Sequence, residues 1–334
     1  MHSSRIATSP QKISQITSLS ACRLSLGRKL ELLSFISVQT VNANFSRIPE
    51  RELETRNDLR GERIFSIDPE TAKDIDDALS ITVNENGTYD VGVHIADVSF
   101  FVKPNTPLDR DARKRATSVY LVQRAVPMLP PALSEQLCSL LPGQDRLAFS
   151  VIFTMDNEGK VLKKWFGKTI IRYEYIHINT EITLMSNHRS VAKLAYSDAQ
   201  RVIDGQSLGN LSTDPAHSPS SIEHDINLLQ SLAKNVRNQR FQNGTLSLES
   251  LTLSFKLGED GFPIDCGQYE RSEANTLIEE VCGLSSQGLT LTNNPSCQFM
   301  LLANIAVAQQ IAVHLPEQAL LRRHDTPIER RLVS

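Results

Sequence analysis

The sequence predicts an α+β domain with an antiparallel sheet at its core and helices around it. At 334 residues, of which 40% are hydrophobic, the chain can bury a substantial core. Its strand-like segments come in neighbouring pairs joined by short turn sequences, which is typical of antiparallel hairpins. Helical patterns are concentrated later in the chain, so strands and helices do not alternate as they do in a doubly wound fold.

The clearest predicted hairpin joins residues 78–83 to residues 88–97. Between them lies Asn86-Gly87, a dipeptide that favours a tight turn. Apolar and polar residues alternate along the second strand, as expected when one face is buried. Two more hairpins are predicted, at 147–155 with 160–171 and at 246–257 with 262–270.

Helices are predicted where apolar residues recur at helical spacing. Residues 49–63 are densely charged and are expected to form a helix or an ordered linker. Ser197 is the expected N-cap of a later helix. The remaining predicted helices are at 109–117, 131–140, 197–204 and 221–241.

Composition argues against several classes of protein. The net charge is −3, so any nucleic-acid binding must come from local basic strips. The five cysteines form no Cys-x-x-Cys pair, which favours a reducing compartment and argues against a structural zinc site. No window approaches 18 apolar residues, so neither a membrane span nor a membrane partner is expected.

The beginning of the chain, residues 1–45, is expected to be a disordered or ill-defined leader. Its first 30 residues contain many serines, several basic residues and no acidic residue before Glu31. This composition resembles a transit peptide, which stays open as an alternative.

The most informative segment is the acidic run from Asp68 to Asp77. It contains four aspartates, at positions 68, 74, 76 and 77. Carboxylates packed this closely repel one another unless water, a basic partner or a metal relieves the repulsion. A hard divalent cation such as Mg²⁺ takes oxygen ligands from carboxylates and from substrate phosphates. The run therefore predicts a metal site that acts on phosphate esters.

The alternative for this run is a solvated loop. Two features weigh against that alternative: the run follows residues 63–67, which have the pattern of a buried strand, and Asp68-Pro69 ends this strand. Aspartates at the end of a core strand have rigid support. An EF-hand is a poor match, because the required glycine and closing glutamate are missing at their positions.

A series of motifs resembles the RNase II (RNB) exoribonuclease family, and within it the eukaryotic Dis-three-like, exosome-independent branch. The resemblance covers roughly residues 46–334 and is specific because the motifs occur in order. The matching segments are Ile67-Asp-Pro-Glu-Thr-Ala-Lys-Asp-Ile-Asp-Asp-Ala78, Val93-His-Ile-Ala-Asp-Val98, Thr117-Ser-Val-Tyr-Leu-Val122, Pro127-Met-Leu-Pro130, Leu147-Ala-Phe-Ser-Val151, Ala274-Asn-Thr-Leu-Ile-Glu-Glu280, Met300-Leu-Leu-Ala-Asn304 and Ala319-Leu-Leu-Arg-Arg-His324.

The resemblance implies hydrolysis of single-stranded RNA from its 3′ end, one nucleotide at a time, with Mg²⁺ or Mn²⁺. By resemblance, Asp68, Asp74 and Asp77 are direct metal ligands, and Asp76 acts on the attacking water or through a second metal. Asp76 and Asp77 are thus the expected catalytic residues. Two cations about 3.5–4 Å apart can activate water and stabilise the leaving oxygen.

The resemblance also implies contacts to RNA. Tyr120 matches a tyrosine that stacks on the terminal base, which suits a nuclease without sequence preference; its alternative is a core tyrosine. Glu279 and Glu280 match a helix that approaches the terminal nucleotide, and their alternative is a solvent-facing pair.

Two other groups of residues remain open between a structural and a functional role. For His94 and Asp97 we favour a structural role, because a histidine in a strand is more often hydrogen-bonded core than a ligand. Arg322, Arg323 and His324 could bind phosphates, and Arg323 is the expected RNA contact. A basic helix end explains these three residues equally well.

The chain departs from the family pattern at both ends. Nothing in residues 1–45 resembles the cold-shock OB domains that precede the catalytic domain in the family. The sequence stops at Ser334, before the motif whose arginine grips the scissile phosphate. Loss of such a contact removes several kcal/mol of transition-state stabilisation, so we expect a partial catalytic domain with weak or no activity.

Two internal segments, 173–189 and 281–298, interrupt motifs that are continuous in the family. The codons at their edges can be written with the usual intron ends, and both segments preserve the reading frame. Our hypothesis is that both are retained or mispredicted introns, and the alternative is a lineage-specific surface loop. Sequencing cDNA across both junctions decides it, since mature messages that retain both segments would refute the hypothesis.

The sequence thus predicts a Mg²⁺-dependent 3′→5′ exoribonuclease that releases nucleoside 5′-monophosphates, without an obligate protein partner. A non-catalytic RNA-binding protein is the main alternative, and a metal phosphohydrolase of another fold is a third. The resemblance implies a cytoplasmic location, with P-body association open and a mitochondrial location less favoured.

Overall fold

The structure is a computed structural model of the chain, and it confirms the predicted α+β class. It describes residues 48–70, 72–122, 125–141, 144–173, 193–208, 218–242, 253–258, 262–268, 298–319 and 321. The expected leader lies outside these ranges.

A seven-stranded sheet forms the centre of the fold. The described strands are β1 (Asn57–Asp58), β2 (Ile64–Asp68), β3 (Asp77–Val83), β4 (Tyr89–Ala96), β5 (Val119–Tyr120), β6 (Ala125–Val126), β7 (Gln144–Met155), β8 (Val161–Tyr173), β9 (Lys193–Ala195), β10 (Leu253–Leu257) and β11 (Pro263–Gln268). The strand order of the large sheet is β1-β8-β7-β4-β3-β2-β9, and β5-β6 and β10-β11 form two small two-stranded sheets.

The predicted hairpins are confirmed. β3 pairs with β4 and β7 pairs with β8, both antiparallel, and β4 also pairs with β7 so that the hairpins share one sheet. Each turn contains a glycine with positive φ, Gly87 at 78° and Gly159 at 85°, a backbone conformation that glycine adopts at little cost. β10 pairs with β11 as the third hairpin.

The two edges of the sheet differ from the expectation of hairpins throughout. β1 runs parallel to β8 at one edge, and β9 runs parallel to β2 at the other. Both edge strands come from segments distant in sequence, and a parallel partner requires a crossover connection that hairpin patterns do not reveal.

Helices pack against the sheet: α5 (Pro219–Gln242) contacts β3, α4 (Tyr196–Ile203) and α6 (Gln298–His314). The Arg63 guanidinium, at the start of β2, forms a bidentate ion pair with the buried carboxylate of Asp225 on α5. The helices are α1 (Glu50–Thr55), α2 (Val98–Phe101), α3 (Pro107–Arg115), a π-helix (Ala132–Leu137), α4 (Tyr196–Ile203), α5 (Pro219–Gln242) and α6 (Gln298–His314).

The prediction of a helix or an ordered linker at 49–63 is confirmed, since α1 occupies its first part and the chain then enters β1. Two other helix predictions need correction. The segment 131–140 contains a π-helix, a geometry that is frequent near functional sites. Ser197 is not an N-cap: Ala195 precedes α4, and the Asp198 carboxylate accepts the hydrogen bond from its N–H.

No helix among the residues that the structure describes is long and apolar enough to cross a membrane.

Candidate functional site

The acidic run connects β2 to β3 at one end of the sheet. Asp68 is the last residue of β2 and is only 9% exposed, while Asp77 is the first residue of β3. Residues 69–76, which we call the acidic loop, carry Asp74 and Asp76 between them. Two rigid strands therefore bracket the loop.

Backbone hydrogen bonds from other elements hold the second half of the acidic loop. The Ile75 side chain is fully buried, and its N–H donates to Oγ of Ser139 at 2.9 Å. The Leu140 N–H donates to the Ile75 carbonyl at 2.8 Å, and the Ala96 N–H donates to the Asp76 carbonyl at 2.9 Å. The loop is therefore anchored to other elements through its backbone, while the side chains of Asp74 and Asp76 remain exposed.

Lys193 of β9 holds the first half of the loop. Its Nζ donates to the Ala72 carbonyl at 2.7 Å. Nearby, the Ser197 hydroxyl of α4 donates to Oε1 of Glu70 at 3.1 Å. The edge strand and the helix after it therefore support the loop directly.

The four aspartates and Tyr120 line one open cavity of about 720 Å³, so the structure brings together five residues that the sequence singled out. Lys73, Ser134 and Glu135 also line it, and sequence reasoning did not identify them. Lys73 lies inside the acidic motif, and Ser134 and Glu135 lie inside the helix predicted at 131–140, which is the only indication the sequence offers. The complete lining is Asp68, Pro69, Ala72, Lys73, Asp74, Asp76, Asp77, Ser118, Tyr120, Ala125, Pro127, Pro131, Ser134 and Glu135.

Asp68 is the most deeply buried of the acids that line the cavity. Among the residues that the structure describes, its buried Oδ2 has no hydrogen-bond partner of normal geometry. The pKa of Asp68 is raised to about 6, mainly by burial and to a smaller extent by the charges of Asp76 and Asp74. The Ser66 hydroxyl and the Lys193 ammonium act in the opposite direction. A buried polar atom left unpaired is costly and calls for a specific explanation.

Asp76 is accessible to solvent within the cavity, yet the protein surrounds it closely. Its pKa is raised by this partial burial and by the negative charge of Asp74. A divalent cation bound among these carboxylates would lower both pKa values, because an opposite charge nearby favours the ionised form.

The chemistry of the donor set fits a hard divalent cation. Asp68, Asp74, Asp76 and Asp77 supply only oxygen ligands, which Mg²⁺ and Mn²⁺ prefer, and the unpaired Oδ2 of Asp68 lies in the same cavity. No group of three or more His, Cys, Asp or Glu side chains within the described ranges is already gathered in metal-binding geometry. The four aspartates thus share a cavity without forming a closed ligand cluster.

Tyr120 lies on the small β5–β6 hairpin and is 55% exposed. Its pKa is raised by partial burial and then by the charges of Asp74 and Asp76, which line the same cavity. The alternative of a core tyrosine is therefore wrong. An exposed aromatic ring in the wall of the cavity is available for stacking on a base.

His94 is part of a buried hydrogen-bonded network, which confirms the structural role favoured for it. Its Nδ1 lies 2.7 Å from Oγ of Ser150, and its Nε2 lies 3.0 Å from Oγ of Ser80. A Cβ at Gly92 would collide with both Ser80 and His94, so only glycine leaves room for this contact. Burial lowers the pKa of His94 to about 3, which keeps the ring neutral.

Asp97 also has a structural partner. Its Oδ2 accepts a hydrogen bond from Nη2 of Arg56 at 2.6 Å, in an ion pair whose side chains are both buried. Burial raises the pKa of Asp97, but hydrogen bonds from Ser99 and Arg56 outweigh it and hold the pKa below its usual range.

A second cavity, of about 450 Å³, also touches Asp76 and Asp77. Apolar side chains of the sheet and of α6, including Phe149 and Met300, form most of its wall, with Asn304 among them. The two catalytic candidates therefore border two cavities of different character.

Several sequence predictions fall outside the described residues. They are Glu279, Glu280, Arg322, Arg323, His324 and nearly all of the two proposed inserts, of which only Tyr173, at the end of β8, and Gln298, at the start of α6, are described.

Comparison with known proteins agrees with the resemblance. The RNB domain family matches residues 56–334. The DIS3-like exonuclease 2 of Schizosaccharomyces pombe is 44% identical over 289 residues, which cover 85% of this chain and 27% of that protein. A protein named inactive exonuclease DIS3L2, from Arabidopsis thaliana, is 41% identical over 289 residues, which cover 85% of this chain and 24% of that protein.

The fold has solved counterparts. The structure of Mycoplasma genitalium RNase R in complex with ribose-methylated single-stranded RNA superposes with a TM-score of 0.70 at 25% identity, covering 89% of this chain and 39% of that one. Compared with the two relatives from Schizosaccharomyces pombe and Arabidopsis thaliana, the chain spans about a quarter of their length. The family match and the relatives, together with the ordered motifs, lead to one conclusion: the chain belongs to the RNB-domain family of RNase II-type exoribonucleases.

Proposed function

We propose that this protein is a Mg²⁺-dependent 3′→5′ exoribonuclease that hydrolyses single-stranded RNA to nucleoside 5′-monophosphates in the cytoplasm. The observation that carries the proposal is the cavity that Asp68, Asp74, Asp76, Asp77 and Tyr120 share. A binding module has no need for four carboxylates whose mutual repulsion requires a cation. Single-stranded RNA is present in the RNase R complex, and we propose the same substrate class here.

The proposed reaction is the hydrolysis of a phosphodiester. Water attacks phosphorus, the P–O3′ bond breaks, and the proton lost by water is balanced by the proton that the new 3′-hydroxyl gains. The released nucleotide keeps its 5′-phosphate. Divalent cations, when bound, supply Lewis-acid stabilisation of the charge on the phosphoryl oxygens.

Side chains of this protein would hold the cation, orient the water and position the RNA. Asp68, Asp74 and Asp77 would hold the cation, and Asp76 would orient the attacking water and accept its proton. Tyr120 would stack on the terminal base, and its exposed ring would thereby hold the 3′ end of the RNA beside the aspartates. Burial of Asp68 at the end of β2 gives one ligand a rigid position.

A non-catalytic RNA-binding protein is the second candidate. It is carried by the relative named as inactive, which is 41% identical to this chain and so nearly as similar as the relative named as an exonuclease. The retained aspartates favour the enzyme.

The test uses the full chain with 3′-labelled and 5′-labelled single-stranded RNA, with Mg²⁺, with Mn²⁺ or with EDTA. An exoribonuclease releases the 3′ label at once as a mononucleotide and shortens the 5′-labelled RNA step by step, and EDTA stops both. Asp76→Asn should abolish cleavage. Asp204→Asn should not, because Asp204 is an exposed aspartate just after α4 that does not line the cavity. RNA that is retained but uncut would support the binding protein instead.

A further inference from the structure

We infer that Ser139 is a positioning residue that sets the geometry of the acidic loop for the divalent cation. This inference rests on the proposed function and adds a residue outside the acidic run. The Ser139 side chain is fully buried and follows the π-helix, whose residues Ser134 and Glu135 line the cavity. The segment 132–139 therefore both lines the cavity and holds the acidic loop.

The contacts of Ser139 are centred on Asp74. Its Oγ accepts a hydrogen bond from the Ile75 N–H at 2.9 Å and donates to the Lys73 carbonyl at 3.4 Å. These two groups belong to the peptide bonds on either side of Asp74. A single hydroxyl therefore restrains both backbone dihedrals of this aspartate.

The neighbouring contacts extend this restraint toward Asp77. The carbonyls of Ile75 and Asp76 accept hydrogen bonds from the backbone of Leu140 and Ala96. Backbone groups supply those contacts whatever the side chain, whereas the contact at Asp74 depends on a hydroxyl at position 139. Ser139 is thus the point where a side-chain change can loosen the spacing of Asp74 and Asp76 without altering any carboxylate.

A second observation ties this geometry to a ligand. Asp68 is nine-tenths buried and has an oxygen without a partner in the described part of the chain, and it lines the same cavity as Asp74. Because Asp68 and Asp74 line the same cavity, a cation shared by both requires a defined backbone position at Asp74. Residues that hold metal ligands in place typically change metal affinity by about 10–100-fold when they are replaced.

The test compares Ser139→Ala with Ser150→Ala. Ser150 is also fully buried and hydrogen-bonded, to His94 and Thr169, but it lies in the sheet network. Each variant loses one buried hydroxyl, so both should lose thermal stability to a similar degree. Mn²⁺ binding to the full chain, followed by the EPR signal of the free ion, should weaken by about 10-fold or more in Ser139→Ala and stay unchanged in Ser150→Ala.

Two further measurements distinguish a positioning role of Ser139 from general destabilisation of the fold. Ser139→Thr keeps the hydroxyl and should restore Mn²⁺ affinity to within about 3-fold of the unmodified chain, a smaller loss than removal of the contact. The Mg²⁺ concentration for half-maximal RNA cleavage should rise in Ser139→Ala alone. If Ser139→Ala does not fold, Ser139→Thr and Ser139→Val, which have nearly the same shape, give the same comparison.

The outcomes are distinguishable. If the unmodified chain binds no Mn²⁺, the proposed metal site is wrong and this inference fails with it. If the chain binds Mn²⁺ and Ser139→Ala binds it equally well, or no more weakly than Ser150→Ala, only the positioning role of Ser139 is refuted.

Discussion

Two groups of buried polar side chains lie in the same sheet, and they differ in how far their hydrogen bonds are satisfied. In the first, His94 has a partner at each ring nitrogen and Asp97 is paired with Arg56. In the second, Asp68 is equally buried but one of its oxygens has no partner within the described residues. Satisfied buried groups stabilise a fold, whereas an unsatisfied buried charge needs something from outside the chain.

The pKa values show the same contrast. Hydrogen bonds hold the pKa of Asp97 below its usual range, while burial raises the pKa of Asp68 to about 6. Both are aspartates at strand ends of the same sheet. Residue type and burial alone therefore do not separate a structural acid from a ligand, and the partners do.

The largest effect is expected for Asp68→Asn, which tests whether the acid with the unpaired oxygen is a metal ligand. We expect RNA cleavage to fall by at least about 1,000-fold, because metal ligation contributes several kcal/mol to the transition state. Without metal, the variant should be at least as stable as the parent, since a neutral amide avoids the cost of a buried unpaired charge. Activity assays and thermal unfolding in EDTA measure the two effects. A fall of several degrees in the EDTA melting temperature would show that Asp68 is a structural acid after all.

Asp97→Ala should lower the stability of the fold and leave metal binding unchanged. This change removes one of the two carboxylates that pair with the buried Arg56 guanidinium, the other being Glu52. Leaving one side of a buried charged group unpaired typically costs about 3 kcal/mol of stability. Urea unfolding should show this loss, while the Mn²⁺ affinity of the folded variant stays unchanged. A variant as stable as the parent would place Asp97 outside the structural network.

Because His94 is buried and neutral, the stability of the fold should depend on pH. Burial lowers its pKa from 6.5 to about 3, so the unfolded chain binds a proton that the folded chain does not. The stability from neutral His94 is present above pH 6.5 and is lost as the pH falls toward 3. At pH 5 the loss should be about 2 kcal/mol.

The measurement is urea unfolding of the chain and of His94→Gln at pH 7 and pH 5. The variant should lose about 2 kcal/mol less between the two pH values, because glutamine does not titrate. The raised pKa of Asp68 changes stability in the opposite direction between about pH 4 and 6, but it does so in both proteins and cancels in the difference. Equal pH dependence in both would mean that His94 is protonated in the fold.

The smallest expected effect concerns Tyr120. Tyr120→Ala should weaken binding of single-stranded RNA by about 10-fold, which is within the 1–3 kcal/mol typical of one stacked base. Tyr120→Phe keeps the ring and should bind like the parent. Fluorescence anisotropy with labelled RNA in EDTA separates binding from cleavage. Equal weakening in both variants would mean that the hydroxyl, and not the ring, contacts the RNA.

The sequence predicted those parts of the molecule that depend on local pattern. The strand before Asp68 and the turn at Asn86-Gly87 were recognisable because alternation and turn residues are local properties. Four aspartates and Tyr120 were found because they lie in ordered motifs. Nothing local indicates that Ser139 reaches the acidic loop, since 64 residues separate it from Ile75. The parallel edge strands were missed for the same reason.

Strand β9 has a consequence for the order in which the site is assembled. Lys193 contacts the Ala72 carbonyl across 121 residues of sequence, and β9 pairs with β2 only through the three residues 193–195. Contacts this far apart require a long loop to close first, so we expect them to form late in folding. During synthesis the hairpins can fold while the acidic loop still lacks its lysine. A ribosome must therefore translate beyond residue 195 before the nascent chain can complete its acidic site.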